Sequence, residues 1–206
     1  MQMRPCPRCP FAVDEESTNI SPELLDAALH GDESAWRMLV ERLYPLVAGI
    51  IRNHLRREAD REDVAQEVFV KIFANLGQFQ GRQPFDHWVS RIALNACHDW
   101  LRRIAARPMV SYSDLGDDER ELIERTLATD EAGADEPHSM LHDLLERLIS
   151  TLAPREQIVI RLLDMDGRSV AEACELTGWG ASKIKVTAMR ARIKLAEQMK
   201  RLEPPT

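Results

Sequence analysis

Apolar residues along this chain recur at intervals of three and four, the period of an α-helix with one buried face. The first such run opens at Ser21-Pro22-Glu23: an N-cap, a proline at the first helical position and an acid in the first turn. It carries Leu24, Leu25, Ala28 and Leu29 inward and stops at Gly31. A second run begins after Asp32 and places Trp36, Leu39, Val40, Leu43, Val47, Ile50, Ile51 and Leu55 on one face, with Trp36 expected in the core. The third, Asp60 to Asn75, has two distinct sides. Val64, Ala65, Val68, Phe69, Ile72, Phe73 and Leu76 form a stripe expected to be buried. Asp63, Gln66, Glu67, Val70 and Ala74 follow a second, acidic and mixed line, which reads either as a solvated face or as a docking surface for a partner helix. The fourth helix turns Phe85, Trp88, Val89, Ile92, Ala93, Ala96, Trp100, Leu101 and Ile104 to the core. Its other side presents Asp86, His87, Ser90, Arg91, His98, Asp99, Arg102 and Arg103, with Asn95 near the boundary.

The pattern breaks from Arg107-Pro108 to about Pro137, where an acidic stretch allows only a short helix around Glu119 to Leu127. This reads as a linker between two domains. Periodicity returns from His138 to Leu152 through Met140, Leu141, Leu144, Leu145, Leu148 and Ile149. Pro154-Arg155-Glu156 opens a helix through Ile158, Val159, Ile160, Leu162 and Leu163, ended at Gly167. Ser169-Val-Ala-Glu172 is a capping box that starts a short helix with Val170, Ala173, Cys174 and Leu176 inside and Gly178 at its end. After the turn Thr177-Gly-Trp-Gly180 a basic helix runs from about Ser182 to Lys200.

A capped short helix, a tight glycine turn and a basic helix make a helix-turn-helix, whose last helix would lie in a DNA major groove. Lys183, Lys185, Val186, Met189 and Arg190 project from its first two turns, where base edges are reached. Ile184, Ala188, Ala191 and Leu195 are left for the core, and Arg192 and Lys194 suit phosphates. The fold class expected is all-α: two small helical domains joined by an acidic linker, the second a helix-turn-helix. The divisions are an N-terminal arm at 1–20, a first domain at 21–106, the linker at 107–137 and a second domain at 138–202.

Charge sharpens this picture. The 206 residues carry a formal net charge of −7, so the whole protein is no general binder of polyanions. Locally the sign divides. Ser111 to Pro137 holds ten acids against two bases, whereas Ser182 to Lys194 has five bases and no acid. The arm has three prolines and a polar, acidic run, too little apolar surface to fold on. Cys6 and Cys9 make half a zinc site, with nothing nearby to complete it, and the four cysteines show no disulfide framework. His87 and His98, eleven apart, read as surface histidines, and His138 and His142 lack a third ligand. No metal, cofactor or catalytic residue is expected. No stretch approaches about 18 apolar residues, so a cytoplasmic protein without a membrane span is the expectation.

The stretch NLGQFQGRQPFDHWVSRIALNACHDWLRR, from Asn75 to Arg103, sets an aromatic in a Gly/Gln/Pro loop beside a helix ending on two arginines. A core helix after a turn explains it; so does a platform for unstacked bases. With DREDVAQEVFVKIF before it and SVAEACELTGWGASKIKVTAMRARIKLAEQM after the acidic linker, the chain resembles the extracytoplasmic-function sigma factors, group IV of the sigma-70 family of RNA polymerase sigma factors. The resemblance covers about residues 22–105 and 138–200.

It implies a factor that directs core polymerase to promoters and assists melting. Asp60, Glu62, Asp63, Gln66 and Glu67 would bind the polymerase clamp helices, with the flap as a further contact. Phe79 and Asn95 would capture unpaired bases of the −10 element, and Arg91, Arg102 and Arg103 would hold phosphates. Ser182, Lys183, Lys185, Val186, Met189, Arg190 and Arg192 would meet the −35 element. An anti-sigma factor is a further implied partner. Two positions depart from the family's pattern: Gln80 replaces the usual arginine beside the loop aromatic, and Val186-Thr187 the usual Ser-Arg. The bases read at both elements are left open by these changes. Two other readings of the residues stand beside this one: a free-standing helix-turn-helix regulator whose N-terminal domain dimerises or senses a ligand, and a cysteine- or metal-dependent enzyme.

Overall fold

The structure, a computed structural model, describes residues 20–106 and 137–202. Cys6, Cys9 and the short helix expected around Glu119 to Leu127 lie outside the described residues. Every regular element among the described residues is helical. In chain order these are α1 (Pro22–Leu29), α2 (Glu33–His54), α3 (Glu58–Asn75), a single 3-10 turn (Leu76–Gln78) and α4 (Phe85–Ala106). The second half contributes α5 (Pro137–Ser150), α6 (Pro154–Ile160), a π-turn (Arg161–Met165), α7 (Val170–Thr177) and α8 (Ala181–Leu202).

The local signals act where they stand in the sequence. Ser21 Oγ accepts from the Leu24 amide at 3.3 Å, and Asp32 accepts from the Ser34 amide at 2.8 Å, so each of the first two helices starts on a side-chain cap. The capping box is closed in both directions, with the Glu172 amide on Ser169 Oγ at 3.2 Å and the Ser169 amide on the Glu172 carboxylate at 2.8 Å. Gly178 ends α7 in the left-handed region at φ 74°.

The first domain packs α2 against α1, α3 and α4, and α3 against α4. Its centre is Leu39, Leu43, Val47 and Ile50 of α2, Val64, Val68 and Ile72 of α3, and Val89, Ala93, Ala96 and Cys97 of α4, all fully buried. Burying one such aliphatic side chain is worth about 1.5–3 kcal/mol. The second domain wraps α6, α7 and α8 around a smaller centre. Ile149, Leu152, Ile160 and Ala191 form a cluster of their own, with Met165 and Leu195 against it. Ile158, Val159, Leu162, Ala173, Leu176, Ile184 and Ala188 instead continue the apolar core of the first domain. Across that seam α4 touches both α6 and α7.

A buried ion pair fastens α5 to the π-turn: Arg161 donates to both carboxylate oxygens of Glu146 at 2.7 and 2.6 Å, with the two residues only 4% and 7% exposed. The i to i+5 bond from the Asp166 amide to the Arg161 carbonyl, at 2.8 Å, defines the π-turn. The sequence reading ran a plain helix through Leu162 and Leu163 here, and the extra residue in the turn carries no periodic signature.

Several burial expectations are corrected. Phe73, placed in the buried stripe, is 62% exposed, because α2 and α4 cover α3 from one side and the edge of a wide stripe rotates out past Phe69. Leu29, Ile104, Leu144 and Leu145 are likewise exposed. His98, expected at the surface, is buried. Its ring meets the Trp179 ring edge-on, with centroids 5.4 Å apart.

Candidate nucleic-acid and polymerase interface

Three surfaces hold the residues singled out in the sequence. The first is the outer line of α3. Glu62, Asp63 and Gln66 are exposed and Asp60 is half-buried. Glu67 is engaged: Lys71 and Arg103 both approach its carboxylate at 2.7 Å, and the Lys71 hydrogen bond is the main reason its acidity is strengthened. One turn on, Val70 and Phe73 are 66% and 62% exposed. Asp63, Gln66, Val70 and Phe73 stand at helical spacing on one line, acidic at one end and apolar at the other. Phe73 packs edge-on against Trp36, with centroids 4.9 Å apart, and the exposed Tyr44 stacks parallel to Phe69. The sequence reading missed the apolar end of this line. Counting Phe73 into the core concealed it, although Val70 already stood on the outer line.

The second surface begins at the loop after α3. Phe79 follows the 3-10 turn, its amide bonded to the Leu76 carbonyl at 3.0 Å, and it is half-buried. Its ring sits edge-on to Phe85 at 4.9 Å and tilted against Trp88 at 5.7 Å, while Phe85 and Trp88 stack at 5.4 Å. Asn95 is exposed, seven residues beyond Trp88 on the same helical line, with Arg102 seven further. Two turns of helix are about 10 Å, close to the length of three stacked bases. Arg103 is half-exposed and lies over the Trp100 ring at 4.9 Å besides its pair with Glu67.

Arg91 is different. It is half-buried, donates to the Glu175 carbonyl of α7 at 3.0 Å, and lies against Gly178 so closely that a Cβ there would come within 3.3 Å of its Nε. His87 reaches the Glu175 carboxylate at 3.5 Å. The line His87, Arg91 and His98 therefore faces the second domain, whereas Asn95 and Arg102 do not.

The third surface is α8. Ser182, Lys183, Lys185, Val186, Met189 and Arg190 are all exposed, while Ile184, Ala188 and Ala191 are buried beneath them. Arg192 grips Asp164 of the π-turn through two bonds, at 3.0 and 2.5 Å, and Lys194 holds the buried Glu156 at 2.8 Å. These two cations, read in the sequence as phosphate contacts, fasten α8 to its own domain.

Titration at the seam has a definite sign. His54 is buried with no hydrogen bond on either ring nitrogen; burial, and then the Arg161 charge, lower its pKa to about 3. Asp166 accepts from Asn53 at 3.0 Å, and burial raises its pKa to about 6. Below about pH 6.5 the unfolded chain protonates His54 and the folded chain does not, so stability falls with acid until pH approaches 3. Asp166 acts in the opposite sense between about pH 6 and 3.8, because there the folded form holds the extra proton. Asp166→Asn should therefore unmask the histidine: urea titrations should show stability dropping by about 1.4 kcal/mol in all between pH 7.5 and 5.5, and by about 1.4 kcal/mol again between pH 5.5 and 4.5. A flat profile in that variant would mean that His54 is hydrated.

Cys97 is fully buried, and burial pushes its thiol up to about 12, which removes it as a nucleophile. Among the described residues no three of His, Cys, Asp and Glu come together as metal ligands. No helix among them is long and apolar enough to cross a membrane.

Comparison with known proteins matches two family models, Sigma-70 region 2 over residues 39–107 and Sigma-70, region 4 over residues 142–195. Among curated proteins, the chain is 27% identical over 191 residues to the ECF RNA polymerase sigma factor SigM of Mycobacterium tuberculosis, covering 93% of this chain and 89% of that one. It is 28% identical to the ECF RNA polymerase sigma-E factor of Escherichia coli K12, covering 82% and 88%. The sigma-E factor of Haemophilus influenzae is also 28% identical, covering 82% and 89%. Among solved structures, CnrH in complex with the cytosolic domain of CnrY shares the fold, with a TM-score of 0.50 at 24% identity over 86% of this chain and 96% of that one.

Proposed function

This chain belongs to the sigma-70 family of RNA polymerase sigma factors, in its extracytoplasmic-function group, and on that premise we propose which of its residues carry each step. The family is not enzymatic: its members bind core polymerase and promoter DNA and act in transcription initiation. The task of the residues is therefore recognition and strand separation. The first domain corresponds to residues 21–106, the second to 138–202, and the tether between them to 107–137.

Core polymerase docks on the outer line of α3, with Asp60, Glu62, Asp63, Gln66 and Glu67 as the polar part. Val70 and Phe73 form its apolar centre, since large exposed apolar groups ringed by charge are what a partner helix buries. The clamp helices are the partner surface there, and the flap that of the second domain. Phe79, backed by Phe85 and Trp88, offers the stacking platform for an unpaired base of the −10 element. Asn95 reads a base edge further along α4, and Arg102 and Arg103 hold the backbone. Arg91 joins them once Glu175 is released. The second domain sets Ser182, Lys183, Lys185, Val186, Met189 and Arg190 against the −35 element, with Arg192 fixing the helix that presents them. An anti-sigma factor that restrains the protein would act by covering the α3 line, and the site of action is the cytoplasm.

The observation that carries this reading is the clean division of α8, six exposed residues over three buried ones in its first three turns. Gel shifts with and without core polymerase test it. A promoter fragment should be retained only when both are present, whereas equal retention by the chain alone would argue for an independent DNA-binding regulator. Within that assay, Lys185→Ala or Arg190→Ala should reduce discrimination among −35 sequences by about 1–3 kcal/mol, the value of one base contact. A loss of equal size on every sequence would assign the side chain to phosphate instead.

A further inference from the structure

The foremost side of α8 is apolar. Ile184, Ala188 and Ala191 are buried and fix the side of the helix that faces its own domain. Successive residues turn by about 100°, so Val186 lies roughly 15° from the direction opposite that buried side, with Met189 and Arg190 roughly 50° to either hand. Lys183 and Lys185 stand further round, roughly 75–90° away on opposite flanks. Val186 is 44% and Met189 56% exposed, and Ile193 continues the line one turn past Met189. Among the described residues no acid holds Lys183, Lys185 or Arg190, whereas Arg192 is tied to Asp164 and Lys194 to Glu156.

An apolar ridge between unpaired cations matches one surface of DNA. The major groove presents one apolar group on its base edges, the 5-methyl of thymine, and phosphates border the groove on both sides. A valine side chain has no hydrogen-bond donor or acceptor, and a methionine thioether is only a weak acceptor, so these two side chains cannot use the donor and acceptor code of the bases. They can recognise a methyl group by covering it from water. Spacing agrees: Val186 and Met189 are three residues apart, about 4.5 Å along the helix axis, against about 3.4 Å between base pairs. A second copy of this chain fits the ridge worse. Across a twofold axis Lys183, Lys185 and Arg190 would face like charges, and Ala181 to Lys194 contains no acid to meet them.

We infer that Val186 and Met189 read the −35 element through the 5-methyl groups of thymines on neighbouring base pairs, an assignment that rests on the placing of α8 proposed above and adds the chemical group recognised. Lys183, Lys185 and Arg190 close on the base edges and backbone beside them. Sensitivity to DNA modification follows, because a cytosine methylated at C5 presents its methyl group at the same place in the groove as thymine does.

Deoxyuridine tests this, since it keeps the base pairing of thymine and lacks only the methyl group. The holoenzyme, full chain with core polymerase, first selects a promoter from fragments randomised across the −35 element. Each thymine of the selected element, on either strand, is then replaced singly by deoxyuridine, and retention is measured by competition. Replacements on two neighbouring base pairs should weaken retention about fourfold each, the worth of one buried methyl group. Val186→Ala should lose most of the response at one of these positions and Met189→Ala at the other. Both side chains are exposed and alanine favours a helix, so neither change disturbs the fold. Cytosine at either position should bind more weakly than thymine, and 5-methylcytosine should regain about fourfold over cytosine. A selected element in which no thymine is methyl-dependent, or a deoxyuridine response that both variants retain in full, would overturn the inference. So would a dimer of the free chain in light scattering that Val186→Ala dissolves, which would make the ridge a contact between copies. Failure of the underlying placement looks different: the holoenzyme would then select no sequence at the −35 position, in wild type and variants alike.

Discussion

Glu146→Ala should cost about 3–5 kcal/mol of stability, the largest loss expected from any single charge in this protein. Arg161 would keep its guanidinium at 4% exposure with no carboxylate to meet it. Its Nε already lacks a hydrogen-bond partner. The carboxylate itself resists protonation. Burial pushes Glu146 toward the neutral form, but the two hydrogen bonds and the charge of Arg161 outweigh it and hold the pKa below its ordinary value. A domain is stable by only about 5–15 kcal/mol, so the variant should unfold well before the wild type in urea, with a melting temperature lower by roughly 10 °C. Glu146→Leu combined with Arg161→Met should recover most of the loss, because replacing both charges leaves nothing unpaired. A cost below about 1 kcal/mol for Glu146→Ala, the worth of an exposed pair, would show that water reaches Arg161.

The second large effect falls on function alone. Phe79→Ala removes one ring of an aromatic trio whose other two rings, Phe85 and Trp88, pack on the core. Phe79 is half-buried and outside the α3 line, so polymerase affinity should be unchanged and the melting temperature nearly so. Open-complex formation should fall. Stacking a base on an aromatic returns about 1–3 kcal/mol, so the fall should be about fivefold to 150-fold, read by permanganate reactivity of the −10 strand. Phe79→Tyr, which keeps the ring, should restore it. Unchanged melting by Phe79→Ala would remove the residue from the mechanism.

Local devices are legible in the sequence. Ser21, Asp32, Ser169 with Glu172, and Gly178 each act within a few residues of themselves, so spacing and residue type suffice to find them. The buried face of α8 was legible for a related reason: Ile184, Ala188 and Ala191 are the apolar positions of an otherwise basic helix. Phe73 and His98 show where periodicity stops. A helix period says which residues share a line, but which line is covered depends on neighbours far away in sequence. Phe73 touches only the edge of α2 through Trp36 and stays 62% exposed, and His98 lies under Trp179, eighty-one positions on.

The Glu146–Arg161 pair was invisible for another reason, since each charge alone looks like a solvated residue. Closure of the two domains could not be read either. An acidic tether suggests separation, and only the shared core of α4 with α6 and α7 reveals that the apolar surfaces left over in each half fit one another. Of the three candidate surfaces, the α8 residues stand as the sequence arranged them. The α3 line gained Val70 and Phe73, Arg192 and Lys194 pair with Asp164 and Glu156 of their own domain, and Arg91 is bonded to the Glu175 carbonyl of the second half.

Transcription in vitro with the cognate core polymerase on genomic DNA, with start sites mapped for the wild type and Asn95→Ala side by side, tests the central claim most directly. The wild type should initiate at sites preceded by one pair of elements at fixed spacing. Asn95→Ala should alter the −10 preference and leave the −35 element untouched. Starts that core polymerase makes unaided at the same sites, or a −10 preference identical in the two proteins, would contradict the assignment of α4 as the strand-reading helix.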